Sequence, residues 1–391
     1  MKDDVPVSIV RDIMAEFAAR TGLDPAGSAP RRYLWTDAFA VCNFLELFRT
    51  TGDDGYRELA LRLVGQVHHT LGRHRADDPR TGWISGLGEE EGERHPTAGG
   101  LRIGKELGER RPGEPPDERR EWDRDGQYYH YLTKWMHALN RVSRVTGDAA
   151  CARWASELAQ TAHARFGHVP TWGGARRLYW KMSIDLTRPL VSSMGQHDPL
   201  DGFVTYSELS ATADENFAGS PLPDLRAGIA DLAALCRGME WSTEDPLGIG
   251  GLLADAWRMA QLTARGAFRE SWLLERVVDA ALFGLESFAG QLSLRLPAEH
   301  RLAFRELGLS IGLKAAAKLA GWLGDNPGTF GRDDPLLRRV EELIAYASLG
   351  EGIEQFWLEG SNREADSWRE HREINMVMLA TSLAPEGFLS I

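Results

Sequence analysis

Arg49-Thr50-Thr51-Gly52-Asp53 and Arg144-Val145-Thr146-Gly147-Asp148 are the same phrase written twice, 147 − 52 = 95 positions apart. The register continues on both sides. Phe44/Leu139 and Leu47/Val142 precede the phrase, and Leu59/Trp154, Ala60/Ala155, Leu63/Leu158 and His68/His163 follow it. Glycine tolerates the left-handed geometry that ends a helix, and aspartate accepts bonds from the orphan amides that start the next one. The phrase therefore predicts a tight helix–helix turn. Repetition at this spacing predicts stacked copies of one supersecondary unit.

Helical periodicity extends outward from the two turns. Val41, Phe44/Leu45 and Phe48 mark a helix over about Thr36–Thr50, and Tyr56, Leu59/Ala60, Leu63, Val67 and Leu71 mark its partner. The second copy pairs helices over about Gln127–Val145 and Ala149–Phe166. Further helices are predicted near Ser8–Arg20, Asp224–Met239, Gly248–Thr263, Ser271–Leu292, Arg301–Trp322, Pro335–Ala347 and Ala365–Leu383. Two stretches break the pattern. Ala76–Glu121 is a long polar insertion rich in Gly, Pro, Glu and Arg, the kind of segment that forms a functional loop or none. From Leu178 to Leu186, apolar Leu178, Trp180, Met182, Ile184 and Leu186 alternate with Tyr179, Lys181, Ser183 and Asp185, which predicts a short strand with one apolar face and one polar face, the latter either solvated or turned to a ligand.

Composition narrows the classes. The 391 residues carry 43% hydrophobic side chains and a net charge of −12, enough for a large core and unfavourable for nucleic-acid backbones or anionic membranes. No apolar run reaches the roughly 18 residues of a membrane span, and Met1–Pro6 has no apolar signal core. Cys42, Cys151 and Cys236 are isolated and sit in apolar patterns, which reads as three buried thiols and a cytoplasmic protein. One domain spanning residues 1–391 is expected, with the insertion at about 76–121.

Helical hairpins joined by this turn resemble the (α/α)6 toroid of the six-hairpin glycosidase-like superfamily, which includes glycoside hydrolases and the N-acylglucosamine 2-epimerase group. The resemblance implies an all-α toroid with one small β element near residues 178–186. It also implies a central cleft, lined by aromatics and carboxylates, that faces the starts of the inner helices. It carries over no catalytic residue, because no subfamily's catalytic set aligns on this chain.

The residues themselves supply candidates. Trp35 and Asp37 open the first repeat helix, and Trp35 falls in register with His130 of the second. Trp122, Asp123, Asp125, Tyr128 and His130 precede or begin that second helix, with acids suited to proton transfer and a histidine that titrates near neutrality. His197, Asp198 and Asp201 form an HD-x-x-D constellation whose Asp198-Pro199 reads as N-cap and first turn. As chemistry it is an acid–base pair, and only weakly a divalent-metal site. Tyr179, Lys181 and Arg188 offer a polar strand face able to hold a carboxylate or hydroxyls. Trp368, His371, Arg372 and Asn375 lie on a late helix, with Trp368, His371 and Asn375 on one face. The expected catalytic set is Asp123, Asp125, His130, His197, Asp198, Asp201 and His371. The expected substrate-binding set is Trp35, Asp37, Trp122, Tyr128, Tyr179, Lys181, Arg188, Trp368 and Arg372.

No metal and no cofactor are expected. Gly99–Lys105 lacks P-loop spacing, and GxSxG, HExxH, EF-hand and zinc-finger patterns are absent from the sequence. The partner is a small-molecule substrate, a sugar first among the classes considered; oligomeric state is left open. The sequence thus points to a carbohydrate-active enzyme, glycosidase-like or a sugar isomerase or epimerase. The alternatives are an enzyme for a non-sugar anionic metabolite and a non-catalytic binding protein on the same fold.

Overall fold

Both repeated turns form as the sequence predicts. In a computed structural model, which describes residues 4–27, 29–170, 173, 175–326 and 335–391, helix α2 (Leu34–Thr51) ends at Gly52 with φ 71°. Helix α6 (Tyr129–Thr146) ends at Gly147 with φ 74°. The side chains of Asp53 and Asp148 then cap α3 (Asp54–Leu71) and α7 (Ala149–Phe166), accepting from Gly55 N at 2.9 Å and Ala150 N at 2.8 Å. The threonines share the work: Thr51 and Thr146 each donate to a carbonyl four residues back and accept from the capping aspartate's own amide at 3.2 Å. The two N-cap residues, Tyr33 and Tyr128, are also 95 positions apart and both extended.

The chain folds as two compact units, Ala18–Gly238 and the remainder, Met1–Phe17 with Met239–Ile391. In the first, hairpins α2/α3 and α6/α7 are followed by α8 (Asp198–Asn216) and α9 (Arg226–Cys236). Helices α6 and α8 run parallel. Thr133 bonds Asp201, Asn140 bonds Glu208 and Arg144 bonds Thr212, each pair 68 positions apart, and only parallel helices hold so constant an offset. Tyr33 meets Tyr131 and Trp35 meets His130 at the helix starts, while Arg141 lies near Cys42 and Glu46 further along, so α2 runs parallel to α6. The three helices α2, α6 and α8 therefore start at the same end of this unit.

The second unit contains α1 (Asp4–Arg20) as far as Phe17, α10 (Pro246–Ala264), α11 (Ser271–Gly290) and α12 (Ala303–Asp325). Helices α10 and α12 are packed backbone to backbone: a Cβ built on Gly250 would lie 2.0 Å from the Gly308 carbonyl oxygen. The stretch predicted as one helix over Ala365–Leu383 is broken into Asp366–Arg369 and Arg372–Leu383, with His371 at the break (φ −120°). The expected face of Trp368, His371 and Asn375 does not form, because Asn375 turns inward: its amide donates to the Trp368 carbonyl, and its Oδ1 accepts from Phe304 N at 3.0 Å. The predicted Pro335–Ala347 helix stops at Ile344, and a further helix over Ala347–Leu358 follows.

The β element is fragmentary. β1 (Gln127–Tyr128), β4 (Lys181–Met182) and β5 (Pro189–Val191) form one antiparallel sheet, and β2 (Gly167–His168) pairs with β3 (Arg177–Leu178). Its polar face is not solvated: Lys181 and Ser183 are buried. The insertion covers them, as Lys181 donates to the carbonyls of Glu121 at 2.5 Å and Arg124 at 2.8 Å. Arginines fasten the insertion to the unit. Arg80 joins Asp78 and Glu109 to Asp185, and Arg110 holds Glu121. The acid run Glu89–Glu91 forms the first turn of the short helix α4 (Glu89–Arg94), and Glu121 lies in α5 (Glu118–Asp123). Cys42, Cys151 and Cys236 are buried, as predicted. Trp83, Trp241 and Trp368 are buried in the core.

Candidate functional site

The shared starting end of α2, α6 and α8 gathers Trp35, His130, Lys134, Asp198 and Asp201. His130 and Lys134 stand one turn apart on α6, and Asp198 and Asp201 face them one turn apart on α8. Lys134 Nζ meets Asp201 Oδ1 at 2.7 Å, and Thr133 donates to Asp201 Oδ2 at 2.5 Å. His130 Nδ1 lies 3.8 Å from Asp198 Oδ1, too far for a hydrogen bond. The Trp35 indole meets the His130 ring edge-on, with centroids 5.9 Å apart.

Three buried polar atoms in this cluster lack a hydrogen-bond partner: Trp35 Nε1, His130 Nδ1 and Asp198 Oδ2. Buried polar groups are normally satisfied, and each exception calls for a reason. A donor, an imidazole nitrogen and a carboxyl oxygen left open together are an unfilled hydrogen-bonding set. Burial sets their charge states. It pushes Asp198 up to about 7, reinforced by the neighbouring negative charge of Asp201, and pushes His130 down to about 4. His130 is thus neutral near neutrality while Asp198 is poised between its two forms.

Aromatic rings wall the cluster. His130 stacks on Tyr128 at 5.4 Å, and Trp180 packs against Tyr128 at 5.1 Å. Tyr131 touches Trp35 and His130, and its hydroxyl bonds that of Tyr33 at 2.7 Å. Trp122, 53% exposed, meets Trp180 edge-on and extends the wall into solvent.

Other candidates stand elsewhere or are committed to the fold. Asp125 is fully buried, ion-paired with Arg75 and Arg102, and accepts from Gly104 N and Gly126 N, which occupies its carboxylate. Asp37 pairs with Arg32 and takes the Tyr33 amide at the start of α2; burial raises it to about 6. Asp123 is exposed at the end of α5. His197, not Asp198, holds the N-cap position of α8, and its carbonyl accepts from Asp201 N. Lys181 and Arg188 donate to backbone carbonyls, Arg188 to that of Arg110. Tyr179 stacks face to face on His168 at 3.7 Å. Trp368 is buried against Trp357, while His371 and Arg372 flank the helix break in the other unit. Sequence reasoning missed Tyr33, Tyr131, Thr133, Lys134 and Trp180 as site residues. The spacing of Lys134 four residues after His130 and the Tyr33/Tyr128 register were the available signals. Among the described residues, no group of three or more His, Cys, Asp or Glu is placed to hold a metal ion. No described helix is long and apolar enough to cross a membrane.

Neither a family model nor a curated protein matches the chain. Solved structures do. The GH76A α-1,6-mannanase from Salegentibacter sp. HEL1_6 superposes with a TM-score of 0.52 at 11% identity, covering 97% of this chain and 99% of that one. The GH76 α-mannanase of Bacteroides thetaiotaomicron gives 0.52 at 8% identity, covering 98% and 97%. The likeness is one of fold, all-α and of the (α/α)6 type. Cellobiose 2-epimerase from Spirochaeta thermophila DSM 6192 also matches, with a TM-score of 0.48 at 14% identity over 95% of this chain and 97% of that one. At these identities the likeness establishes the architecture, and function rests on the site.

Proposed function

We propose that this protein is an enzyme that acts on a neutral sugar, with His130 as general base and Asp198 as general acid. The observation that carries the proposal is the open set of Trp35 Nε1, His130 Nδ1 and Asp198 Oδ2 beside the wall of Tyr128, Tyr131 and Trp180. Aromatic faces suit the apolar faces of sugar rings, and unpartnered donors and acceptors suit hydroxyls. A neutral imidazole accepts a proton, and a carboxyl held up to about 7 can donate one. Proton transfer at a ring or carbonyl carbon, as in isomerisation or epimerisation, needs that pair. Glycoside hydrolysis needs two opposed carboxyls. Asp37 and Asp125 are held by arginines and Asp201 by a lysine, which favours the proton-transfer reading over the hydrolytic one.

A neutral substrate fits better than an acidic one. The cations expected to grip an anion, Lys181 and Arg188, are spent on main-chain carbonyls, and Lys134 is neutralised by Asp201. The test is a panel of neutral aldoses, ketoses and disaccharides set against uronic acids and sugar phosphates, followed by proton NMR in D2O. Deuterium incorporation into a neutral sugar, lost in His130→Ala, is the expected result. Turnover confined to acidic substrates, or release of a glycosidic bond without exchange, overturns it.

A further inference from the structure

Away from this cluster, helix α7 bears a concavity of about 570 Å³, lined by His95 of the insertion, Arg153, Glu157 and Gln160 of α7, and Pro221-Leu222-Pro223 between α8 and α9. It shares no residue with the Trp35–His130–Asp198 set. Glu157 and His95 are bound together, Oε1 to Nδ1 at 2.7 Å. The other carboxylate oxygen, Glu157 Oε2, is buried without a partner. Burial, the largest influence on Glu157, holds it above the ordinary carboxylate range. Arg153, half-buried one turn before Glu157, has no ion pair or hydrogen bond among the described residues.

We propose that this pocket binds a small zwitterion, a free aliphatic amino acid being its simplest form. Three features of the lining select that class. The open acceptor Glu157 Oε2 calls for a charged or strong donor, which an ammonium supplies. Arg153 offers a planar guanidinium that a carboxylate matches in a bidentate way. Pro221, Leu222 and Pro223 present no side-chain hydrogen-bonding groups and suit an aliphatic chain. Arg153 and Glu157 together are net neutral, so a ligand that pairs each with the opposite charge leaves no unmatched buried charge. A sugar offers the Arg153 guanidinium no carboxylate to pair with in a bidentate way and sets hydroxyls against the prolines. The volume lies within the ordinary range for small-ligand sites. The site is independent of the proposed sugar chemistry, and its test needs no knowledge of the reaction.

The experiment is isothermal titration of the full chain with L-leucine, and separately with D-glucose, in wild type, Arg153→Met and Glu157→Gln, with circular dichroism to confirm that both variants fold. Leucine is expected to bind wild type with a dissociation constant of about 1 mM or tighter, and each variant to weaken it about tenfold or more. His130→Ala is expected to bind leucine as wild type does. No leucine binding at about 10 mM, equal binding in both folded variants, or glucose displacing leucine from this pocket overturns the proposal.

Discussion

His130 and Asp198 face each other from parallel helices, Nδ1 to Oδ1 at 3.8 Å, with no protein group bridging the open atoms Nδ1 and Oδ2. A pair built only for stability closes to about 2.8 Å. This one stands open at the start of α6 and α8, where the next pair along, Lys134 and Asp201, is closed at 2.7 Å. Asp201 and Lys134 fix the two helix starts, so removing His130 or Asp198 changes chemistry more than structure. His130→Ala and Asp198→Asn are each expected to lower kcat about 10²–10⁴-fold while far-UV circular dichroism is unchanged. A loss of less than about tenfold in both removes the pair from the mechanism.

The same pair sets the pH response. The active forms are neutral His130 and protonated Asp198. The rate is expected to fall on the alkaline side as Asp198 ionises, near about 7, and on the acid side only well below 6.5, as His130 gains its proton near about 4. A kcat profile still rising at pH 9 contradicts this assignment.

Stability carries the complementary signature. A carboxyl whose pKa rises from 3.8 to about 7 on folding opposes the fold once the unfolded chain ionises first, so the cost is absent below 3.8 and complete above about 7. Its full size is on the order of 4 kcal/mol. Asp198→Asn is therefore expected to melt higher than wild type at pH 8, with the gain vanishing by pH 4, as read by calorimetry. A gain of the same size at both pH values excludes ionisation of Asp198 as its source.

Asp125 serves as a contrast. Its carboxylate lies between Arg75 and Arg102 under the insertion. Asp125→Asn leaves both guanidiniums without their buried anion and is expected to cost about 3 kcal/mol in urea denaturation. An unchanged midpoint with lost activity marks Asp125 instead as a catalytic group.

The two repeated turns allow a controlled test of backbone strain. Gly52 and Gly147 have φ of 71° and 74°, and an added Cβ meets nothing within 4 Å at either. Alanine there costs only conformational energy, about 1–2 kcal/mol at each site and equal within error. At Gly250, the Cβ meets the Gly308 carbonyl oxygen, so Gly250→Ala is expected to cost more than either turn substitution, again by denaturation. A smaller loss at Gly250 contradicts the close packing of α10 on α12.

The sequence by itself fixed what is local. Glycine's freedom, aspartate's reach to the next amides and the apolar period set the paired turns, most of the long helices and the parallel placement of Trp35 and His130. Each depends on residues a few positions apart, and repetition made the pattern visible. Tertiary structure decided the rest. Lys181 and Ser183 alternate like a solvated strand face, yet the insertion closes over them. Asn375 reads as part of a continuous helical face, yet the helix breaks at His371 and Asn375 bonds the Phe304 amide and the Trp368 carbonyl. Asp125 reads as a helix-start acid until Arg75 and Arg102 reach it. Asp198 and His130 are 68 positions apart, and only the packing of α6 on α8 gives one a raised pKa and the other a lowered one. Desolvation and charge proximity depend on what surrounds a group in space, and no spacing along the chain encodes that.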